Sequence, residues 1–199
     1  MAIIKSGASS DLLTIDPTSK AARVTMYDTR GNAMVMKAGY CAGTTAKFAA
    51  AAGTTVFAMM AGSATTTIRV QRITVGGSIA TTAINADLVL YKRTALGSGG
   101  TPSSLTPIAK DSNSAGSGAT NVKVFTAGPT AGTGGGVLAT TTMFMGVTPA
   151  LSQIAVFDWT MFGMEAPVLR GVNDSLELSF GTTQANTSTM TVWFEWTEE

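Results

Sequence analysis

The chain contains no histidine and a single cysteine, Cys41, in 199 residues. Without histidine it lacks the side chain that most enzymes use for proton transfer near neutrality. One cysteine cannot form an internal disulfide, and a zinc site needs Cys and His in clusters. Cys41 has no Lys or Arg beside it to stabilise a thiolate and reads as a small buried hydrophobe. Charge is scarce as well: Asp, Glu, Lys and Arg make up 13 % of the residues and the formal net charge is +1. No run of basic residues supplies the positive field that a nucleic-acid binder needs. Low charge also gives little repulsion between copies, which suits a chain that works inside an assembly.

Long apolar runs are missing too. Residues 48–68 carry no charge, but Gly53, Thr54, Thr55, Gly62, Ser63 and the threonines at 65–67 interrupt them. A membrane-spanning helix needs about 20 predominantly apolar residues. A loop or short helix feeding a strand is expected there. Residues 1–13 place Lys5 and Asp11 inside their apolar stretch, unlike the continuous apolar core of a signal peptide.

What remains is rich in Gly, Thr, Ala and short aliphatic stretches, with 45 % hydrophobic residues. That composition favours strands over helices and suffices for one sizeable core. Residues 1–50 form a turn-broken segment, expected to be an extended N-terminal arm with a strand or hairpin. Asp16-Pro17 opens a turn, Ala22, Val24 and Met26 alternate with polar neighbours, and residues 28–32 turn again. Residues 46–52 could form one or two helical turns.

Residues 51–199 read as strand, turn, strand. Ile68 and Val70 share one phase, Ile73 and Val75 the other, which predicts a bulge between them; Gly76-Gly77 is expected to end that strand. Residues 88–91 are apolar in both phases, as in a strand covered on both faces. Residues 94–107, 111–119 and 130–136 read as loops. Val122 and Val124, residues 137–147, 154–159 and 166–169 read as further strands. Near the C-terminus, Leu176, Leu178 and Phe180 alternate with Ser175, Glu177 and Ser179. Met190, Val192, Phe194 and Trp196 alternate with Thr191, Trp193, Glu195 and Thr197. Both predict half-buried antiparallel strands. Eight to ten such strands without a fixed repeat predict an all-β fold, an antiparallel jelly-roll β-sandwich.

Candidate chemistry is thin. The glycines of residues 131–137 lack the Gly-Lys-Ser/Thr ending and following helix of a phosphate loop. Glu177 and Glu195 are candidate cross-strand neighbours, but isolated acids on strand faces read as solvated surface. Asp87, Asp111 and Asp174 lack calcium-loop spacing. No catalytic residue, cofactor or metal is expected. Trp193 lies opposite the apolar series of the last strand, so it points outward and is a candidate oligomer-interface residue. Met59-Met60 and residues 161–164 are candidate adaptable contact surface.

Four stretches carry a resemblance. They are Leu13-Thr-Ile-Asp-Pro-Thr-Ser-Lys-Ala-Ala-Arg-Val-Thr-Met-Tyr-Asp-Thr-Arg-Gly-Asn32, residues 57–75, residues 87–94 (Asp87-Leu-Val-Leu-Tyr-Lys-Arg-Thr94), and Trp193-Phe-Glu-Trp-Thr-Glu-Glu199. Together they resemble the structural proteins of tailed-bacteriophage virions, in particular jelly-roll capsid decoration, or cement, proteins. The resemblance implies a homotrimer on the outer capsid surface, assembled in the host cytoplasm. Its partner would be the major capsid protein, and neither nucleic acid nor membrane would be bound. It further implies an N-terminal arm reaching over neighbouring subunits, with Leu12, Leu13, Ile15, Pro17, Arg23, Tyr27 and Arg30 as candidate capsid contacts. Three alternatives remain: a tail or head-fibre component that touches the host surface, a tail-associated polysaccharide-degrading enzyme, and a free-standing carbohydrate-binding module.

Overall fold

The computed structural model describes residues 14–15, 22–23, 37–119, 121–148, 152–160 and 165–199. The chain divides into two compact units, Met1–Lys37 and Ala38–Glu199. In the first, β1 (Thr14–Ile15) pairs antiparallel with β2 (Ala22–Arg23), so the backbones of Ile15 and Arg23 lie on a small two-stranded ladder. Leu12, Leu13, Pro17, Tyr27 and Arg30 lie outside the described residues.

The second unit is all-β, with no helix among the described residues. Its strands are β3 (Ala38–Gly43), β4 (Phe48–Ala50), β5 (Val56–Ala61), β6 (Ile68–Ile79), β7 (Ile84–Arg93), β8 (Thr101–Ser104) and β9 (Ile108–Ala109). They continue with β10 (Val122–Ala127), β11 (Gly136–Met145), β12 (Ile154–Asp158), β13 (Val168–Leu169), β14 (Ser175–Phe180) and β15 (Ser188–Glu198). One sheet runs β11-β7-β14-β5-β10-β8. The other runs β12-β6-β15-β3-β9, with β13 also on β6 and β4 also on β15. Every pairing is antiparallel. The composition boundary near residue 50 falls after β3 and β4, both of which belong to the second sheet.

The inner faces meet in one apolar core. Met190, Val192, Phe194 and Trp196 of β15 face Leu88, Leu90, Leu176 and Leu178 of the opposite sheet, with Phe57, Ile68 and Ile73. Alternation along β15 is clean, buried on one face and partly exposed on the other. The predicted bulge is present: Glu195 pairs with Arg72 and Trp196 with Val70, leaving Gln71 as the extra residue. Both apolar phases of β6 thereby reach the core. Leu88, Val89 and Leu90 are all buried, as the double-phase pattern required.

Several expectations are corrected. Residues 46–52 are not helical: Phe48, Ala49 and Ala50 pair with Met190, Thr189 and Ser188, so ladder bonds replace a helical turn too short to persist alone. The uncharged run after them is β5, buried at every position because β14 and β10 flank it and both faces are covered. Gly76-Gly77 does not end β6, which runs on to Ile79. The glycines serve close packing instead: a Cβ on Gly77 would lie 2.5 Å from Met190 Sδ. Residues 94–107 are not simply loop, because β8 pairs with β10 there. Finally, β14 is buried on both faces rather than one.

Candidate interaction surfaces

The double burial of β14 begins with Glu177. Its side chain is fully buried on the outer face of the first sheet, where Arg93 Nε donates to Oε2 at 3.2 Å and the Gly132 amide donates to Oε1 at 2.9 Å. Arg93 also lies over the Tyr91 ring, 4.1 Å from its centroid. Two segments cross above: Ala95 bridges Thr133 and Ser98 bridges Thr130. They come this close because Gly97 and Gly132 have no side chain; a Cβ on either would lie 2.9 or 2.8 Å from Glu177 Oε1. The expectation that Glu177 is a solvated acid is therefore overturned. So is its pairing with Glu195, since β14 and β15 belong to different sheets. Met59 and Met60 are buried and offer no contact surface, while residues 161–164 lie outside the described residues.

A second carboxylate clamp holds residues 115–119. Glu198 accepts hydrogen bonds from Trp196 Nε1 (2.8 Å), from the Gly118 amide (2.8 Å) and from the Ser117 hydroxyl. Tyr40, stacked on Trp196 at 6.0 Å, donates its hydroxyl to the Ala115 carbonyl at 2.8 Å. Burial pushes the Tyr40 phenol above its ordinary 10.0, and the Glu198 charge adds to the shift.

The outer face of the second sheet is different. One row crosses it as Val156, Thr74, Trp193 and Gly43; the next crosses as Asp158, Arg72, Glu195, Cys41 and Ile108. The second row is ionic: Arg72 bridges Asp158 at 3.0 Å and Glu195 at 3.7 Å, and Lys110 also pairs with Glu195. Asp158 lies below the usual carboxylate range, chiefly through hydrogen bonds from Thr160 and then through Arg72. Cys41 is only partly buried in this row, because it sits on the outer face rather than in the core.

The first row carries no charge. Trp193 is 41 % exposed and points outward, and Val156 is also exposed. The indole lies flat on Gly43, where a Cβ would approach Cε3 to 2.1 Å. Alternation alone placed Trp193 outward; its seat on Gly43 was not visible, because the two are far apart in sequence. Beside Trp193 an open groove of about 500 Å³ runs between Thr44, Phe48, Ser103, Leu105 and Ile108, and no charged residue lines it. Among the described residues no group of three or more His, Cys, Asp or Glu is arranged to hold a metal ion, and no helix is long and apolar enough to cross a membrane.

Comparison with protein-family models, curated proteins and solved structures returned no match.

Proposed function

We propose that this chain is a structural virion protein: a jelly-roll capsid decoration protein that binds the outer shell as a homotrimer and stabilises contacts between major capsid subunits. The observation that carries the fold part of the reading is the strand order. Taken in chain order, β3, β5, β6, β7, β11, β12, β14 and β15 fill two four-stranded sets, β3-β15-β6-β12 and β5-β14-β7-β11. That winding supports the jelly-roll reading of the sandwich. The segment between β7 and β11 adds β10 beside β5, β8 beside β10, and β9 beside β3, so it extends both sheets on the same side.

The functional part rests on the resemblance of the four stretches, and the disposition of the polar groups supports it. Glu177, Glu198, Glu195 and Asp158 are each bound to partners within the fold. We read the chain as a scaffold that is contacted, with Trp193 at an interface and the N-terminal unit as the capsid-binding arm. Bridging several shell subunits multiplies weak contacts into firm attachment. A head- or tail-fibre role is the second reading, favoured by one observation. The uncharged groove beside the exposed Trp193 is the kind of surface that takes a neutral glycan.

The test is copy number per purified virion, measured by mass spectrometry against the major shell protein. A count comparable with the shell protein is expected. A handful of copies points to a fibre, and absence from the particle ends the virion reading. Deleting residues 1–35 is expected to abolish shell binding while leaving the β unit folded; retained binding refutes the arm assignment.

A further inference from the structure

The two sides of the sandwich are finished differently. On one side the outermost strands are short or interrupted: β8 has four residues including Pro102, and β9 has two, followed by Lys110. Short strands, proline and lysine are the usual means of keeping a sheet edge from pairing with another chain. On the other side the outermost strands are β11 and β12, which lie next to each other. β11 is ten residues long and contains neither proline nor charge. No charged residue occurs anywhere from residue 124 to residue 157, so neither edge strand on this side carries a charged gatekeeper before Asp158. Val137, Leu138, Ile154 and Val156 are exposed there, Ile154 to 69 %.

The ladder of β11 is also half used. Among the described residues its one strand neighbour is β7. Asp87 of β7 turns its carbonyl to Gly181, away from β11, so the paired residues Thr142 and Asp87 do not bond each other. By the antiparallel alternation, Thr140 and Thr142 direct their backbone N–H and C=O groups away from the sheet. Phe144, in the same phase, has its outward groups capped by Gln153: the Gln153 amide donates to the Phe144 carbonyl at 2.9 Å, and the Phe144 amide donates to Gln153 Oε1 at 3.2 Å. Among the described residues no such cap serves Thr140 or Thr142, and both are exposed.

We propose that this edge pairs with a second copy of the chain, β11 against β11 in antiparallel register about a twofold axis at Thr141. Each Thr140 then exchanges both outward backbone hydrogen bonds with Thr142 of the second copy. The occupant is a second copy because the edge is complementary to itself. Reversal about Thr141 sets threonine opposite threonine, a favourable cross-strand pair. The absence of charge, with a net charge of +1 for the chain, removes the repulsion that would oppose self-association. Apolar Leu138 and Val137 flank the contact. β11 itself carries no charge, and the charged groups beside it, Asp87 at Thr142 and Arg69, Lys92 and Glu165 around Leu138, are of both signs, so they select no partner of one sign. This pairing does not rest on the virion reading; in that reading it would join one decoration oligomer to the next.

The experiment is sedimentation equilibrium of the purified full chain over a dilution series, beside the double variant Leu138→Lys, Thr140→Lys. The wild-type mass is expected to fall on dilution to a lower limit, and the variant to hold that lower mass at every concentration. Hydrogen–deuterium exchange of the wild type covers the case in which the variant misfolds. The Thr140 and Thr142 amides are expected to be protected at high concentration and to lose at least tenfold protection on dilution. A wild type whose mass does not change with concentration, a folded variant with wild-type mass, or amides whose exchange ignores concentration overturns the proposal. Failure here leaves the virion copy number untouched, and the reverse holds, so the two readings fail separately.

Discussion

Replacing Glu177 by alanine tests the account of how the crossing segments are held over the first sheet. The carboxylate is fully buried and has two partners, Arg93 at 3.2 Å and the Gly132 amide at 2.9 Å. Its removal leaves the amide without an acceptor, which costs about 1–3 kcal/mol. It also leaves Arg93 unpaired, and breaking a buried ion pair from one side costs about 3–5 kcal/mol. These do not simply add. Arg93 is 17 % exposed and keeps its contact with the Tyr91 ring, so part of its charge is solvated and the lower end applies. The expected total is about 3 kcal/mol, a large share of the stability of an ordinary domain. Glu177→Gln separates the two contributions. It retains an acceptor for Gly132 and most of the volume while removing the charge, so about 1–2 kcal/mol is expected. Urea unfolding at neutral pH, followed by tryptophan fluorescence, reads both through the midpoint at constant slope. A cost below about 1 kcal/mol for the alanine variant would show that the clamp does not hold the segments. Equal costs for Ala and Gln would show that the Gly132 hydrogen bond contributes nothing.

Three further outcomes follow from the other contacts. Gly43→Ala forces the Trp193 ring off its seat, since the new Cβ would lie 2.1 Å from Cε3. A loss of about 1–3 kcal/mol and a shifted Trp193 emission are expected, and an unchanged spectrum refutes the stacking. Asp158 has a folded pKa below its ordinary 3.8, so its stabilising contribution is complete above 3.8 and is lost as the pH falls through the lower folded value. Asp158→Asn should therefore remove part of the acid sensitivity below pH 3.8 in a urea-midpoint series, and identical curves for the two proteins refute the assignment. Glu198→Ala deprives the Trp196 indole and the Gly118 amide of their acceptor. A loss of about 1.5–3 kcal/mol, with faster amide exchange at Gly118 and Ala119, is expected; unchanged exchange there shows that the loop is held by other means.

The all-β class, the outward face of Trp193 and the bulge in β6 were legible in the sequence, because each depends on the period-two alternation of a strand about its own sheet. A side chain's face is fixed by its neighbours in the chain, so Met190 to Trp196 and Ile68 to Val75 announced their core faces locally. What lies above a face is not local. The strand that holds Ser175, Glu177 and Ser179 reads as half polar, and it is the crossing of residues 94–100 and 128–135 that closes over Glu177. The same holds for β4, where ladder bonds to β15 decide against a helical turn. It holds for Gly76-Gly77, which read as a stop and instead admit Met190 and Thr191 from the neighbouring strand. Sequence fixes which groups need partners, while tertiary structure decides which groups become partners, because hydrogen bonds and packing form between segments whose separation along the chain carries no information about their separation in space.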